Sequence, residues 1–505
     1  MWSPRPPRRW RCRDRLSRTL YTSNRLRQFD QVVAEPSNRN RDSCVDPVGD
    51  CRLPEASAGR RQFTASRTPT RKPSRPTGPA DPAAAHDGRP SSVTAHPSAS
   101  SLPPVPLRAV DRAFRATASG PLVMGVKLDF PGAAPSLSEV RARVAERAVP
   151  IPSLYYHVAD DGRTLHADDA LEVNDHVRET DRAGDGDERV VDRMMLDEAL
   201  PANRPPWDLW LIRRATGHSL CFRSDHALRD GSAAVALIRA LLEDRPGWRP
   251  RTRRELRPGP RDFGSVTGEA LRALRSPDIA PGMAGTPVGT QGMLHADVPV
   301  ELLHVAGQAH GATVNDVYLT ALSQAVRRWY EDRTGTGHPP MPVSVPASVR
   351  APGRELEVGN ALVTTRVVLP CTRVDPGEAL REVKAQTRRL REGRHRDAAR
   401  VVLRALPAAM GAWSAIRLVD AEAVPTLAST MEAGPLLTVQ GRRAERASMF
   451  LALSGGLRCY TALTTYHDNA RLTVVHDDSL PDVSRLVEHW RTAVGELAAG
   501  PVLRR

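Results

Sequence analysis

The chain has 505 residues, 40 % hydrophobic and 26 % charged, which is ordinary globular usage with room for two or three domains. Its net charge of +14 is uneven: residues 1–100 hold 19 Lys+Arg against 9 Asp+Glu and the other 405 hold 53 against 49, so the basicity is no property of a folded nucleic-acid face. No run reaches the ~18–20 apolar residues of a membrane span, and the six cysteines form no CxxC pair, which points to reduced thiols rather than a metal site or a disulfide framework.

Taken in chain order, residues 1–102 are expected to be disordered. The first hundred positions hold 13 prolines and almost no periodic apolar pattern, so they bury too little surface to offset their ordering entropy. Arginines without an apolar run behind them do not make a secretory signal. A targeting leader or a nucleic-acid tail competes here with a dispensable extension, and the extension is the plainer reading. Order is predicted from Val105, with a turn and short helix over Leu107–Phe114 and a strand over Leu122–Phe130. Ser136 and Glu139 stand in capping-box spacing ahead of a helix over Leu137–Ala148. The polar segment 179–190 lacks the spacing of a calcium loop and reads as a solvated loop. A helix follows over Glu188–Leu200, then a strand from Pro205 to Ile212 and its hairpin partner over Ser219–Arg223.

A helix is predicted over Ser232–Leu242, and the Pro/Gly/Arg-dense stretch 246–292 reads as a crossover. The second part opens with a strand (Leu294–Val298), a helix (Val300–His310) stopped by Gly311, and a long helix (Thr313–Tyr330) with one apolar face. Strands are expected at Met341–Val345 and Ala361–Leu369, and helices at Pro376–Arg394 and Ala398–Leu418. Strands at Cys459–Tyr466 and Arg471–His476 flank an Asp468-Asn469 turn, and a last helix spans Pro481–Ala499. The basic stretch Arg388–Arg404 reads as a solvated helix face, or else as a surface for anionic lipid. The pattern is α/β. It divides into an extension (1–102), an N-terminal half (103–248), a crossover (249–292) and a C-terminal half (293–499).

The most informative stretch is Asp225-His226-Ala227-Leu228-Arg229-Asp230-Gly231, between a predicted strand and a predicted helix. A histidine leaving a strand, with Asp-Gly four residues on, is a candidate for an imidazole held rigidly at the mouth of a channel. A lone histidine is ordinarily a satisfied, partly buried side chain, and His157, His166 and His304, which lack ligand spacing, are read that way.

This stretch resembles the His-His-x-x-x-Asp-Gly signature of acyl-CoA-dependent acyltransferases, with Asp225 in place of the first histidine. Other segments fall in the order of the bacterial wax ester synthase/acyl-CoA:diacylglycerol acyltransferase family. They are Val110-Asp111-Arg112-Ala113-Phe114, Pro205-Pro206-Trp207-Asp208-Leu209-Trp210, Ala312-Thr313-Val314-Asn315-Asp316-Val317, Pro346-Ala347-Ser348-Val349-Arg350 and Gly359-Asn360. The resemblance covers roughly 105–497. It implies two related chloramphenicol-acetyltransferase-like halves with the active-site channel between them. It also implies transfer of a fatty acyl group from acyl-CoA, as substrate rather than cofactor, to diacylglycerol or a long-chain alcohol, with no metal.

His226 would be the general base, since a neutral imidazole accepts a hydroxyl proton near neutral pH. Asp230 would be structural, paired with an arginine for which Arg350 is the candidate. Gly231 would allow a close approach, and the helix behind it would offer N–H groups to an oxyanion. Asn315, Asp316 and Asn360 are candidates for the substrate channel, the first two also for helix capping. Asp225 would turn away from the substrate of His226 and find an amide, an arginine or water. Two more departures, at Thr286-Pro287-Val288-Gly289 and Leu427–Pro435, bear on the substrate. A carrier-bound thioester with an amine or polyketide hydroxyl, or a non-catalytic acyl- or partner-binding relative, are the rival readings. The expected location is cytoplasmic, or peripheral on membrane or lipid inclusions.

Overall fold

The computed structural model describes residues 102–108, 111, 112, 115, 118, 122–183, 188–251, 256–264, 266–268, 282, 283, 285–392, 394–405, 424–454 and 456–500. The expected disorder of 1–102 lies, but for Leu102, outside the described residues, as do much of the 249–292 crossover and positions 406–418 of the expected Ala398–Leu418 helix.

The N-terminal part runs β1 (Val105–Pro106), β2 (Val123–Pro131), α1 (Leu137–Ala148), β3 (Tyr156–Val158), β4 (Thr164–Ala167), α2 (Val173–His176), β5 (Val177–Ala183), α3 (Glu188–Asp197), β6 (Trp207–Arg214), β7 (Gly217–Asp225) and α4 (Gly231–Leu242). The C-terminal part begins β8 (Gln291–Pro299), α5 (Val300–His310), α6 (Val314–Thr334), β9 (Met341–Ser348), β10 (Leu362–Leu369), α7 (Pro376–Glu392) and α8 (His395–Ala405). It ends β11 (Thr426–Glu432), β12 (Thr438–Val439), β13 (Arg442–Arg443), β14 (Arg446–Leu451), β15 (Cys459–Tyr466), β16 (Asn469–Asp477) and α9 (Val483–Ala499).

Local chemistry sets several boundaries. Ser136 accepts the Glu139 amide at 3.2 Å and Glu139 accepts the Ser136 amide at 2.7 Å, satisfying two of the N–H groups at the start of α1. Thr313 and Asp316 form the same box at the start of α6. Gly311 ends α5 in the left-handed region at φ 57°, which costs glycine little.

Two sheets carry the fold. The first has the order β14-β2-β7-β6-β5 and the second β10-β9-β11-β15-β16-β8. The apolar faces of α1 and α4 (Val140, Val144, Leu237, Leu241) join Leu128, Phe130 and Phe222 of the first sheet in one core. Tyr318, Trp329 and Trp490 of α6 and α9 pack with Val343, Leu463 and Val474 of the second sheet in another. Burial of each large side chain contributes about 1.5–3 kcal/mol.

The structure corrects three expectations. Segment 179–190 is not all loop: β5 runs to Ala183 and pairs in parallel with β6, from Val177 opposite Leu209 to Ala183 opposite Arg214. It is polar because it is an edge strand. Among the strands that escape the sequence reading are β11 and β14. The second of these comes from the C-terminal half yet pairs with β2, Arg446 opposite Asp129. Finally, Arg388–Arg404 is not a uniformly solvated basic face, because Arg396 and Arg400 are buried and Arg391 reaches Asp316 at 3.5 Å.

A buried charge network joins the halves. Lys127 of β2 donates to Asp192 of α3 at 2.8 Å, and Asp192 lies 3.3 Å from His295 of β8. Burial alone would raise the Asp192 carboxyl, but Lys127 and His295 outweigh it and hold the group well below the usual carboxylate range. Beside it, Asp129 accepts from Ser219 at 2.7 Å and from Arg471 at 3.3 Å, and Arg471 also donates to Asp297 at 2.6 Å.

Candidate active site

Strand β7 ends at Asp225 and α4 begins at Gly231, so the motif is the turn between them. The His226 amide donates to the Leu122 carbonyl at 2.7 Å, and the Leu228 amide closes the turn on the Asp225 carbonyl at 3.1 Å. The Asp225 carboxylate accepts the Ala227 amide at 2.7 Å and a guanidinium hydrogen of Arg115. The residue that departs from the motif is therefore an amide and arginine acceptor that shapes the turn.

His226 is half-buried. Its Nδ1 lies 2.9 Å from the Arg229 carbonyl. A carbonyl only accepts, so in the neutral ring Nδ1 carries the hydrogen and Nε2 presents a lone pair. Among the described residues Nε2 has no partner. The carbonyl that orients the ring is itself anchored, because the buried Arg229 side chain donates to the Ser153 carbonyl at 2.5 Å. Burial pulls that guanidinium down to about 10, against the pull of Asp225, which leaves it charged at neutral pH.

Asp230 is the N-cap of α4: its carboxylate accepts the Ala233 amide at 3.0 Å. The same carboxylate takes Arg350 at 2.6 Å and the Ala361 amide at 2.9 Å. Arg350 also donates to the carbonyls of Glu357 at 2.9 Å and Gly359 at 2.5 Å. The motif turn is thus docked onto the segment between β9 and β10 of the other half. An anionic cap offsets the positive end of the helix dipole, so the start of α4 is a weaker oxyanion donor than the sequence suggested.

Gly231 is needed for packing. A Cβ there would stand 2.6 Å from Met431 Cε and 2.7 Å from Met449 Sδ, side chains of β11 and β14, neither of which the sequence foresaw.

Asn360 belongs to this constellation, since its amide nitrogen donates to the His226 carbonyl at 2.5 Å and to Asp111 at 2.9 Å. Asp111, from the first of the motif segments, went unassigned in the sequence. It is buried, and burial raises its carboxyl to about 7 against the lowering effects of Asn360 and Arg108. Asn315 and Asp316 make other contacts. Asn315 accepts from Thr430 at 2.7 Å, and Asp316 serves the capping box and accepts from Thr387 at 2.6 Å. None of their hydrogen bonds reaches the turn that carries His226.

Residues 121–290 match the family model of the wax ester synthase/diacylglycerol acyltransferase catalytic domain, and residues 358–498 match that of the WS/DGAT C-terminal domain. A Mycobacterium tuberculosis H37Rv protein provisionally named a diacylglycerol O-acyltransferase is 31 % identical over 96 residues, 19 % of each chain, so this match spans about a fifth of that relative. Another so named, from M. tuberculosis CDC 1551, is 24 % identical over 426 residues, 69 % of this chain and 85 % of its own. Among solved structures, the wax ester synthase/diacylglycerol acyltransferase of Marinobacter aquaeolei VT8 is 17 % identical with a TM-score of 0.56, covering 78 % of this chain and 99 % of its own. The first condensation domain of the calcium-dependent antibiotic synthetase is 16 % identical with a TM-score of 0.53, covering 79 % and 97 %. At these identities the likeness establishes the two-lobed condensation-type fold.

Proposed function

Because the chain belongs to the wax ester synthase/diacylglycerol acyltransferase family, we propose that it is an O-acyltransferase carrying a fatty acyl group from acyl-CoA to diacylglycerol or a long-chain alcohol, with His226 as general base. The observation that carries this reading is the Nδ1 contact of His226 with the Arg229 carbonyl, which leaves Nε2 as a fixed acceptor. Nε2 takes the hydroxyl proton as the alcohol oxygen attacks the thioester carbonyl. The tetrahedral intermediate then expels the coenzyme A thiolate, which recovers the proton from the imidazolium. Oxygen–acyl bond formation and sulfur–acyl cleavage balance without a covalent enzyme intermediate, a metal or a redox cofactor. The two substrates supply every atom transferred.

Among the described residues no helix is long and apolar enough to cross a membrane. Both proposed acceptors and their products are lipids, so the proposed activity would work at the surface of the membrane or of lipid inclusions.

The test gives the full chain labelled palmitoyl-CoA with diacylglycerol or hexadecanol. Labelled ester is expected, falling by about 10²–10⁴-fold in His226→Ala. A folded chain that esterifies neither acceptor, or an alanine variant as fast as the wild type, sinks the proposal. A parallel arm offers a carrier-bound thioester with an amine, the substrate pair that would replace it.

A further inference from the structure

We infer that Asp111 is a positioning residue for His226, acting through Asn360; the inference rests on the general-base reading above. The two hydrogens of the Asn360 amide are divided between the Asp111 carboxylate at 2.9 Å and the His226 backbone carbonyl at 2.5 Å. Arg108 donates to the backbone carbonyl of the same asparagine. Arg108 and Asp111 lie on one turn, closed by the Arg112 amide on the Arg108 carbonyl at 2.9 Å, so a single short element grips Asn360 at both ends.

Residues 359, 360 and 361 each donate into the motif turn. The Gly359 amide reaches the Leu228 carbonyl at 2.6 Å and the Ala361 amide reaches Asp230 at 2.9 Å. Both donors are backbone amides, whose positions follow from the chain path. The Asn360 contact depends on a side-chain amide that can rotate, and an acceptor on its second hydrogen keeps it from doing so. Asp111 is that acceptor, and it is 1 % exposed, so water does not replace it easily. Removing its oxygen leaves a buried donor unsatisfied and lets the amide turn away from His226. The imidazole would then lose one of the tethers of its own peptide, and proton transfer depends steeply on position.

The test compares kcat and KM for palmitoyl-CoA among the wild-type full chain, Asp111→Ala, Asp111→Asn, Asn360→Ala and the double alanine variant. Asp111→Ala is expected to lower kcat about 10-fold with KM changed by less than about twofold. Asp111→Asn keeps an acceptor oxygen and is expected to stay within about threefold of wild type. The double variant is expected to lose no more than Asn360→Ala alone, since both break one chain of contacts. If Asp111→Ala does not fold, equal kcat in Asn360→Ala and wild type overturns the inference, and a selective kcat loss supports it. Turnover that dies in His226→Ala but is untouched in Asp111→Ala overturns this inference alone. A wild-type chain with no turnover removes the general-base reading and this inference with it.

Discussion

Asp230 and Arg350 stand 120 positions apart in the chain and meet at 2.6 Å, both buried, one capping α4 and the other leaving β9. The pair fastens the turn that carries His226 to the opposite half. Each partner makes further hydrogen bonds, Asp230 from the Ala233 and Ala361 amides and Arg350 to the Glu357 and Gly359 carbonyls, while the buried Arg350 Nε has no partner among the described residues. Breaking a buried pair from one side strands the other charge. Asp230→Ala or Arg350→Ala is therefore expected to cost about 3–5 kcal/mol in urea unfolding, with the double variant costing less than the sum. Strict additivity would show that the two side chains act independently.

Asp225 invites an obvious repair, a histidine that restores the usual motif. The geometry predicts that Asp225→His lowers the melting temperature and leaves kcat no higher than wild type, since the carboxylate that accepts from Ala227 and Arg115 is lost. Asp225→Asn keeps an acceptor for the Ala227 amide and loses mainly the ion pair with Arg115, a side chain 37 % exposed. That change is expected to cost no more than about 1 kcal/mol. A kcat raised by Asp225→His would contradict this account of the turn.

Two glycines make a paired test. A Cβ at Gly125 would lie 2.2 Å from Cζ of the Phe450 ring, whereas at Gly231 the nearest atoms are the ends of two methionines. A packed ring cannot retreat as a thioether can. Gly125→Ala is expected to destabilise by about 1–3 kcal/mol or more, and Gly231→Ala by less. Gly231→Val, with a branched side chain against both methionines, should fall with the first. The reverse order in thermal unfolding would show that the β14 contact yields more readily than the methionine contacts.

Asp111 should make stability depend on pH. Burial raises its carboxyl from 3.8 to about 7, with Asp225 and Asp230 adding to the rise and Asn360 and Arg108 opposing it. The folded state therefore keeps this proton longer than the unfolded chain does. Its contribution is full below the unfolded value and is lost as pH climbs to the folded one. Asp111→Asn and wild type should be equally stable near pH 4, and the variant should gain by up to ~4 kcal/mol by pH 7 and above. Urea unfolding at several pH values checks this, and a difference that stays flat with pH would rule it out.

Much of the architecture is written locally. The Ser136 and Thr313 capping boxes, the Gly311 stop and the apolar face of α6 are patterns of residues a few positions apart, and those helices begin where the patterns say. The α5 span and β15 follow in the same way. β5 was hidden because an edge strand need not be apolar, and β14 because its partner lies more than three hundred residues earlier in the chain. Arg396 and Arg400 look like surface arginines until tertiary packing covers them.

The candidate site divides along the same line. By itself the sequence determined the family, the α/β class and the turn holding His226, Asp230 and Gly231, because strand exit, Asp-Gly spacing and helix start are short-range features. Tertiary structure alone decided that Asp225 binds an amide and Arg115, that Asn360 reaches His226 while Asn315 and Asp316 do not, and that Asp111 stands behind Asn360. Apart from the Ala227 amide, two residues from Asp225, those contacts join segments more than a hundred residues apart. Their geometry depends on how two sheets dock, and no local spacing encodes that.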